Sequence, residues 1–458
     1  MLWRRLERCG MRRSVHSIAT SASDPGGRRV AAAKAGGNLE GVDGLRAAAA
    51  LSILVLHVWS EGTPGGPVSF GTKLDHRLLD LSYGVTLFFT LSGFLLYRPF
   101  CRAILAGRPT LAVVDYLRKR ALRIFPAYWT ILLVCALLVG GLLRNTARGT
   151  LEGRLTDPLL LARVALLVQN YDLRTILSGI GPAWTLAVEV VFYLVLPLLA
   201  WVAWRWARQR SDHARVLAAL APPVFFLVLG LAGKAVTEFA VPTDGVGHGW
   251  NTDWHSVLER SLLCQADLFS FGMALAVLHC LKREGRITLP PRWNLVAGLG
   301  AVAGYLICAK GAPVASQLSY SRYNTVMALA CSLLLAVVVL AEPGRSRLVK
   351  VLELPPVVAL GVISYSVFLW HHPLVLSARQ HHLTFDGRLG LLVNLGMVLV
   401  VTLALSALTY RYVEAPMLRL KSRRPRRVPT ASPGAGIPQG PVAGSGRREG
   451  GDAPCDLS

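Results

Sequence analysis

The sequence predicts an all-α fold: a polytopic membrane helix bundle of about ten transmembrane helices with the N- and C-termini in the cytoplasm. Three observations predict it. Hydrophobic residues fill 53% of the 458 positions and charged residues only 16%, and apolar runs of membrane length recur from residue 45 to residue 413. Third, basic residues gather in every second loop. A soluble core cannot absorb that much apolar sequence. The net charge of +23 would suit a nucleic-acid binder, but its cations sit in short loops and tails between apolar spans, so the expected partner is the lipid bilayer and not nucleic acid.

Taken in order, the spans are Leu45–Trp59, Ser82–Tyr97, Ala127–Leu143, Trp184–Ala203, Val216–Ala232, Leu262–Leu281, Trp293–Ala309, Asn324–Ala341, Val357–Val375 and Leu389–Val413. Several fall short of the ~20 residues that cross a bilayer, so the helices should extend into their flanks. The loop Arg98–Pro126 holds Arg98, Arg102, Arg108, Arg118, Lys119, Arg120 and Arg123 against one acid, Asp115, and is read as cytoplasmic. Alternate loops repeat the pattern with Arg205 to Arg215, Lys282 to Arg292 and Arg345 to Lys350. This register requires that Leu159–Gln169, short and interrupted by Arg163 after the Asp157-Pro158 break, be interfacial or re-entrant.

Three parts result. Residues 1–39, rich in Arg, Ser, Ala and Gly, lack the apolar stretch of a secretory signal and read as a disordered basic arm, or as an over-extended start with Met11 or a later codon as the true one. Residues 40–420 form the membrane domain, expected in the plasma membrane. Residues 421–458 open on Lys421, Arg423, Arg424, Arg426 and Arg427 and continue Pro- and Gly-rich, a composition that cannot bury a core. The eight cysteines show no paired spacing and read as small hydrophobes.

Ionisable side chains within the spans are few, and each is costly in hydrocarbon. Arg46 and His57 lie eleven residues apart on the first span, which places them on one face roughly 16 Å apart in depth. Glu189, His371 and His372 follow, with the histidine pair read as ending a helix before Pro373. Asp267, His279, Arg411 and Glu414 read first as ties between helices. No metal is expected, because the histidines show no ligand spacing with one another or with a carboxylate on one helix face.

These residues carry a resemblance. Gly41-Val42-Asp43-Gly44-Leu45-Arg46 leading to His57 resembles the opening of the acyltransferase-3 family of integral membrane O-acyltransferases. Residues 84–97, Arg120 and Arg123 in RALRIFPAYW, and WTLAVEVVFYLVLP from Trp184 are similar to its later motifs. So are Ser364-Tyr365-Ser366-Val367-Phe368-Leu369-Trp370-His371 and Tyr412-Val413-Glu414-Ala415-Pro416. Two positions depart from the pattern: Val190 stands where a second acid often follows Glu189, and Phe368 where a Tyr precedes Leu-Trp-His.

The resemblance implies transfer of an acyl group, commonly acetyl, from cytoplasmic acyl-CoA to a hydroxyl of a carbohydrate, glycolipid or glycosylated small molecule. Acyl-CoA is then a co-substrate, with no cofactor bound permanently. Arg46, Arg120 and Arg123 would bind the donor's phosphates, since guanidinium forks suit phosphate. His57 is the expected general base, and Glu189 could orient it or bind the acceptor. His371, Tyr365 and Trp184 are candidates for acceptor binding or a secondary role. The rival class is a transporter or flippase, but the halves show no paired, interrupted helices.

Overall fold

The protein is described here from a computed structural model that covers residues 39–146, 149–242, 252–311, 317–342, 344 and 346–422. The two predicted tails therefore lie almost wholly outside the described residues. Each of the ten predicted spans falls largely on a helix: α1 (Val42–Glu61), α2 (Gly84–Leu105), α3 (Val113–Val134), α5 (Trp184–Ala207), α6 (Asp212–Ala240), α7 (Leu262–Arg283), α8 (Trp293–Gly311), α9 (Gln317–Val339), α10 (Pro355–Gln380) and α11 (Gly387–Thr409). Among the described residues nine helices are long and apolar enough to cross a membrane, and the described apolar part of α9, Tyr323–Val339, is shorter. The chain is a multi-pass membrane protein. Most helices outrun their apolar runs, because in lipid a helix satisfies its own backbone and stops only where caps or water take over.

Packing follows the membrane rule that small residues let backbones approach. At the α2–α7 crossing a Cβ on Gly93 would lie 2.2 Å from Phe269 O, and one on Gly272 would lie 2.0 Å from Thr90 O, so neither position admits a side chain. Phe192 of α5 stacks on Phe269 at 4.2 Å between ring centroids. Helix α6 extends past the predicted Ala232 and so carries Lys234 into the bundle, where Nζ donates to Asp267 Oδ2 (2.6 Å) and to Thr325 Oγ1 (2.7 Å). Asp267 thus ties α6, α7 and α9, as expected of a helix tie. A second layer packs α10 against α1 and α11, and α10 brings the site's histidines to α1.

Two expectations are corrected. The predicted span Ala127–Leu143 is displaced toward the N-terminus: α3 begins at Val113, so Arg118, Arg120 and Arg123 are helical, and the helix ends in a π-turn at Cys135–Val139. Gly140 and Gly141, at φ +74° and +68°, adopt a left-handed backbone that no helix continues through. Leu142 and Leu143 then enter a strand, β1 (Leu142–Thr146), paired antiparallel with β2 (Gly149–Gly153). The histidine pair does not end its helix, since α10 runs through Pro373 to Gln380; proline removes one backbone donor, a defect that membrane helices tolerate.

The segment Leu159–Gln169 does not cross. It forms α4 (Pro158–Ala165), eight residues long, N-capped by Asp157 and followed by a 3-10 turn at Gln169–Tyr171. Its late carbonyls accept from Tyr128 Oη (Val164 O, 2.7 Å) and Trp129 Nε1 (Ala165 O, 2.9 Å), which satisfies groups a helix end otherwise leaves bare. The six described cysteines, Cys101, Cys135, Cys264, Cys280, Cys308 and Cys331, are buried and free.

Candidate active site

Polar groups gather at two depths of the bundle, near opposite ends of α1. At the Arg46 end, Arg46 pairs with Asp43 at 4.0 Å, and Arg123 of α3 pairs with Glu414 at 3.3 Å. Glu414 sits in a π-turn, Tyr410–Glu414, a deviation that concentrates at functional sites, and it also accepts from Ser366 Oγ at 2.5 Å. Arg120 lies over the Tyr116 ring at 5.7 Å, and its Nε is buried with no partner among the described residues. This end therefore concentrates three guanidiniums, one of them with an uncommitted donor.

Glu189 belongs to this end. The expectation that it could orient His57 is not met: its carboxylate accepts from Ser92 Oγ (2.5 Å) and Tyr193 Oη (2.8 Å) and lies within electrostatic reach of Arg46 and Arg120. Tyr365, expected near the acceptor, also lies here. Its Oη donates to Ile124 O at 2.9 Å and its ring faces Arg123 at 5.8 Å, because six helical residues separate it from His371, a rise of about 9 Å.

At the other end, α1 and α10 place His57, Glu61, His371 and His372 together. His57 Nδ1 lies 2.9 Å from Ile53 O, and a carbonyl only accepts, so Nδ1 carries the hydrogen and Nε2 keeps its lone pair. His371 Nδ1 meets Val367 O at 3.1 Å by the same logic, which leaves His371 Nε2, 3.3 Å from His57 Nδ1, to accept a share of that hydrogen. His372 meets His57 edge to face with centroids 4.8 Å apart and donates from Nε2 to Glu61 Oε2 at 3.1 Å. Arg379 Nη1 donates to Glu61 O at 3.1 Å and also pairs with Glu152 of β2, so the hairpin is tied to the histidine end.

Glu61 is the residue sequence reasoning missed. It follows His57 by four on α1, one helical turn on the same face, and it lies beyond the predicted span, whose apolar run ends at Trp59. The statement that no histidine shares a helix face with a carboxylate is therefore corrected. One ligand atom each from His57, Glu61 and His372 lie within 4.8 Å of one another, so this set could also hold a divalent cation.

The connection from α4 to α5 covers the histidine end. Asp172 anchors it by accepting from Arg174 N (2.9 Å) and pairing with Arg163; that backbone bond and the guanidinium hold its carboxyl below the ordinary carboxylate range. Gly181 lies flat on His372, where a Cβ would come within 2.5 Å of Cε1. Trp184 opens α5 beside it, under the Arg260 guanidinium at 5.8 Å from its ring centroid.

The chain is 21% identical over 386 residues to O-acetyltransferase OatA of Staphylococcus aureus, an alignment covering 83% of this chain and 57% of that protein. It is 24% identical over 387 residues to YrhL of Bacillus subtilis, whose name carries a provisional peptidoglycan O-acetyltransferase assignment, covering 83% and 55%. Over 182 residues it is 34% identical to nodulation protein 10 of Rhizobium leguminosarum bv. viciae, covering 38% and 47%. The chain thus spans little more than half the length of OatA and YrhL. No solved structure matches it. The acyltransferase domain of the acyltransferase-3 family matches residues 39–411, and the chain belongs to that family.

Proposed function

We propose that the protein is a membrane O-acyltransferase that moves an acyl group from acyl-CoA to a hydroxyl of a carbohydrate-bearing acceptor, with His57 as general base. The observation that carries the reading is the axial separation of guanidiniums from imidazoles along α1. Arg46, Arg120 and Arg123 offer fixed cations for the donor's phosphates at the depth that charge distribution assigns to the cytoplasmic face. From there the pantetheine arm would follow α1 toward His57, roughly 16 Å away by helical rise. The family supports acyl transfer, and the names of OatA and YrhL favour acetyl and a glycan.

The chemistry needs a base with a free lone pair at the thioester. His57 Nε2 takes the proton of the acceptor hydroxyl as its oxygen attacks the carbonyl carbon; the C–O bond forms, the C–S bond breaks, and the thiolate leaves with the proton from Nε2. His371 keeps the imidazole in the tautomer that makes Nε2 the base. Glu61, through His372, sets a negative charge beside the imidazolium that develops. The test is incubation of the purified protein in nanodiscs with radiolabelled acetyl-CoA and an extract of host glycans. Label in a glycan product that is lost in His57→Ala supports the reading, whereas equal labelling with His57→Ala removes His57 from the chemistry.

A further inference from the structure

His57 and Glu61 stand one turn apart on the same face of α1, and α10 lays His372 against them, so that one ligand atom from each of the three lies within 4.8 Å of the other two. Two imidazoles and a carboxylate make a three-residue zinc set, which keeps its fourth position for water. Magnesium and calcium prefer sets built of oxygen. Arg379, which donates to Glu61 O, is paired with Glu152, so its charge does not cancel the Glu61 carboxylate.

The spacing is close to what one ion needs. Ligands bound at about 2.0–2.1 Å to a tetrahedral ion stand about 3.3 Å from one another, and His372 Nε2 and Glu61 Oε2 are already 3.1 Å apart. Drawing His57 into the set takes a closure of at most about 1.5 Å. The Glu61 side chain, 34% exposed, supplies that freedom and a path from water. His57 also carries the outer hydrogen bond usual for a metal-binding histidine, since its Nδ1 hydrogen is held by Ile53 O at 2.9 Å, which fixes the ring and frees Nε2 to bind.

We infer that His57, Glu61 and His372 form a site for a zinc-type divalent cation, and that the cation inhibits acyl transfer by occupying the base. The inference rests on the transfer reading above and names a regulation of the same site. Metal on His57 Nε2 takes the lone pair that would receive the acceptor's proton. Metal on Nδ1 moves the ring's hydrogen to Nε2, with the same result. At His372 the ring's hydrogen passes from Nε2 to Nδ1 as Nε2 binds, so no proton is released there. The charge distribution that places Arg46, Arg120 and Arg123 at the cytoplasmic face opens this end of α1 to the opposite side, so the site responds to the cation outside the cytoplasm.

The test uses the full chain in nanodiscs, stripped of metal, with cobalt(II) chloride as a coloured stand-in for zinc. Cobalt should bind with the strong visible absorption of a four-coordinate ion, and zinc chloride should displace it. Glu61→Gln and His372→Gln should each weaken binding at least about 100-fold, because even the outer partners of a metal site are worth about 10–100-fold. His382→Asn, which removes an exposed histidine outside the site, should bind like wild type. In parallel, zinc should stop label transfer from acetyl-CoA in wild type and His382→Asn, with recovery on chelation, and should spare the residual transfer of Glu61→Gln; magnesium should have no effect. No visible absorption, or absorption equal in wild type and the Glu61 and His372 variants, overturns the site. Site-dependent absorption with transfer that zinc leaves unchanged or raises overturns the inhibition. Site-dependent absorption without any transfer by the metal-free protein keeps the metal site and defeats the transfer reading.

Discussion

Replacing Glu61 with glutamine tests whether the carboxylate beside the histidines serves the reaction. Glutamine keeps an oxygen that can accept from His372 Nε2, so the hydrogen bond survives in kind and the negative charge alone is removed. When His57 takes a proton, its imidazolium lies no more than 4.8 Å from the Glu61 oxygen. At an effective dielectric of about 20 that attraction is about 3 kcal/mol. The Glu61 side chain is 34% exposed, so solvent screening trims the benefit to about 1.5 kcal/mol. This corresponds to a fall in kcat of about tenfold. The acetyl-CoA KM should not move, because the guanidiniums lie at the other end of α1. Steady-state kinetics in nanodiscs with both substrates varied gives the answer. A kcat within twofold of wild type would refute the role assigned to Glu61.

Other predictions concern stability and metal. Lys234→Met leaves Asp267 charged and unpaired in the bundle and should destabilise it by about 3–5 kcal/mol, while Lys234→Met with Asp267→Leu should recover most of that; thermal unfolding in detergent measures both. Gly272→Val drives a side chain into Thr90 O and should lower the unfolding temperature by the equivalent of at least about 1–3 kcal/mol, whereas Gly298→Ala, whose Cβ meets nothing within 4 Å, should not. The acid–base account predicts that a strong chelator leaves the rate unchanged. Loss of activity on chelation, restored by a divalent cation, would reassign His57, Glu61 and His372 as metal ligands.

Much of this was legible in the sequence because hydrophobic length is a local signal. The ten spans, the short α4 segment and the Asp267 tie follow from run length, charge cost and breakers. What escaped depends on tertiary neighbours or on where a helix stops. Lys234 and Glu61 lie only two residues beyond apolar runs that their helices outlast, so a composition window excludes them although the structure makes both partners of buried groups. The hairpin escaped because two five-residue strands are marginal alone; here Leu143 bridges to Gly179, Ser377 Oγ donates to Val139 O and Arg379 pairs with Glu152. Glu189 looked as close to His57 as to the arginines, since sequence order does not say which face of α5 meets which helix.

The central claim, that a donor held at one depth is used at another, is tested most directly by sidedness. Proteoliposomes would be prepared with labelled acetyl-CoA confined to the compartment facing Arg120 and Arg123 and a glycan acceptor confined to the opposite one. The account predicts labelled glycan on the acceptor side only, abolished in both His57→Ala and Arg123→Ala. Transfer that requires donor and acceptor in the same compartment would contradict it.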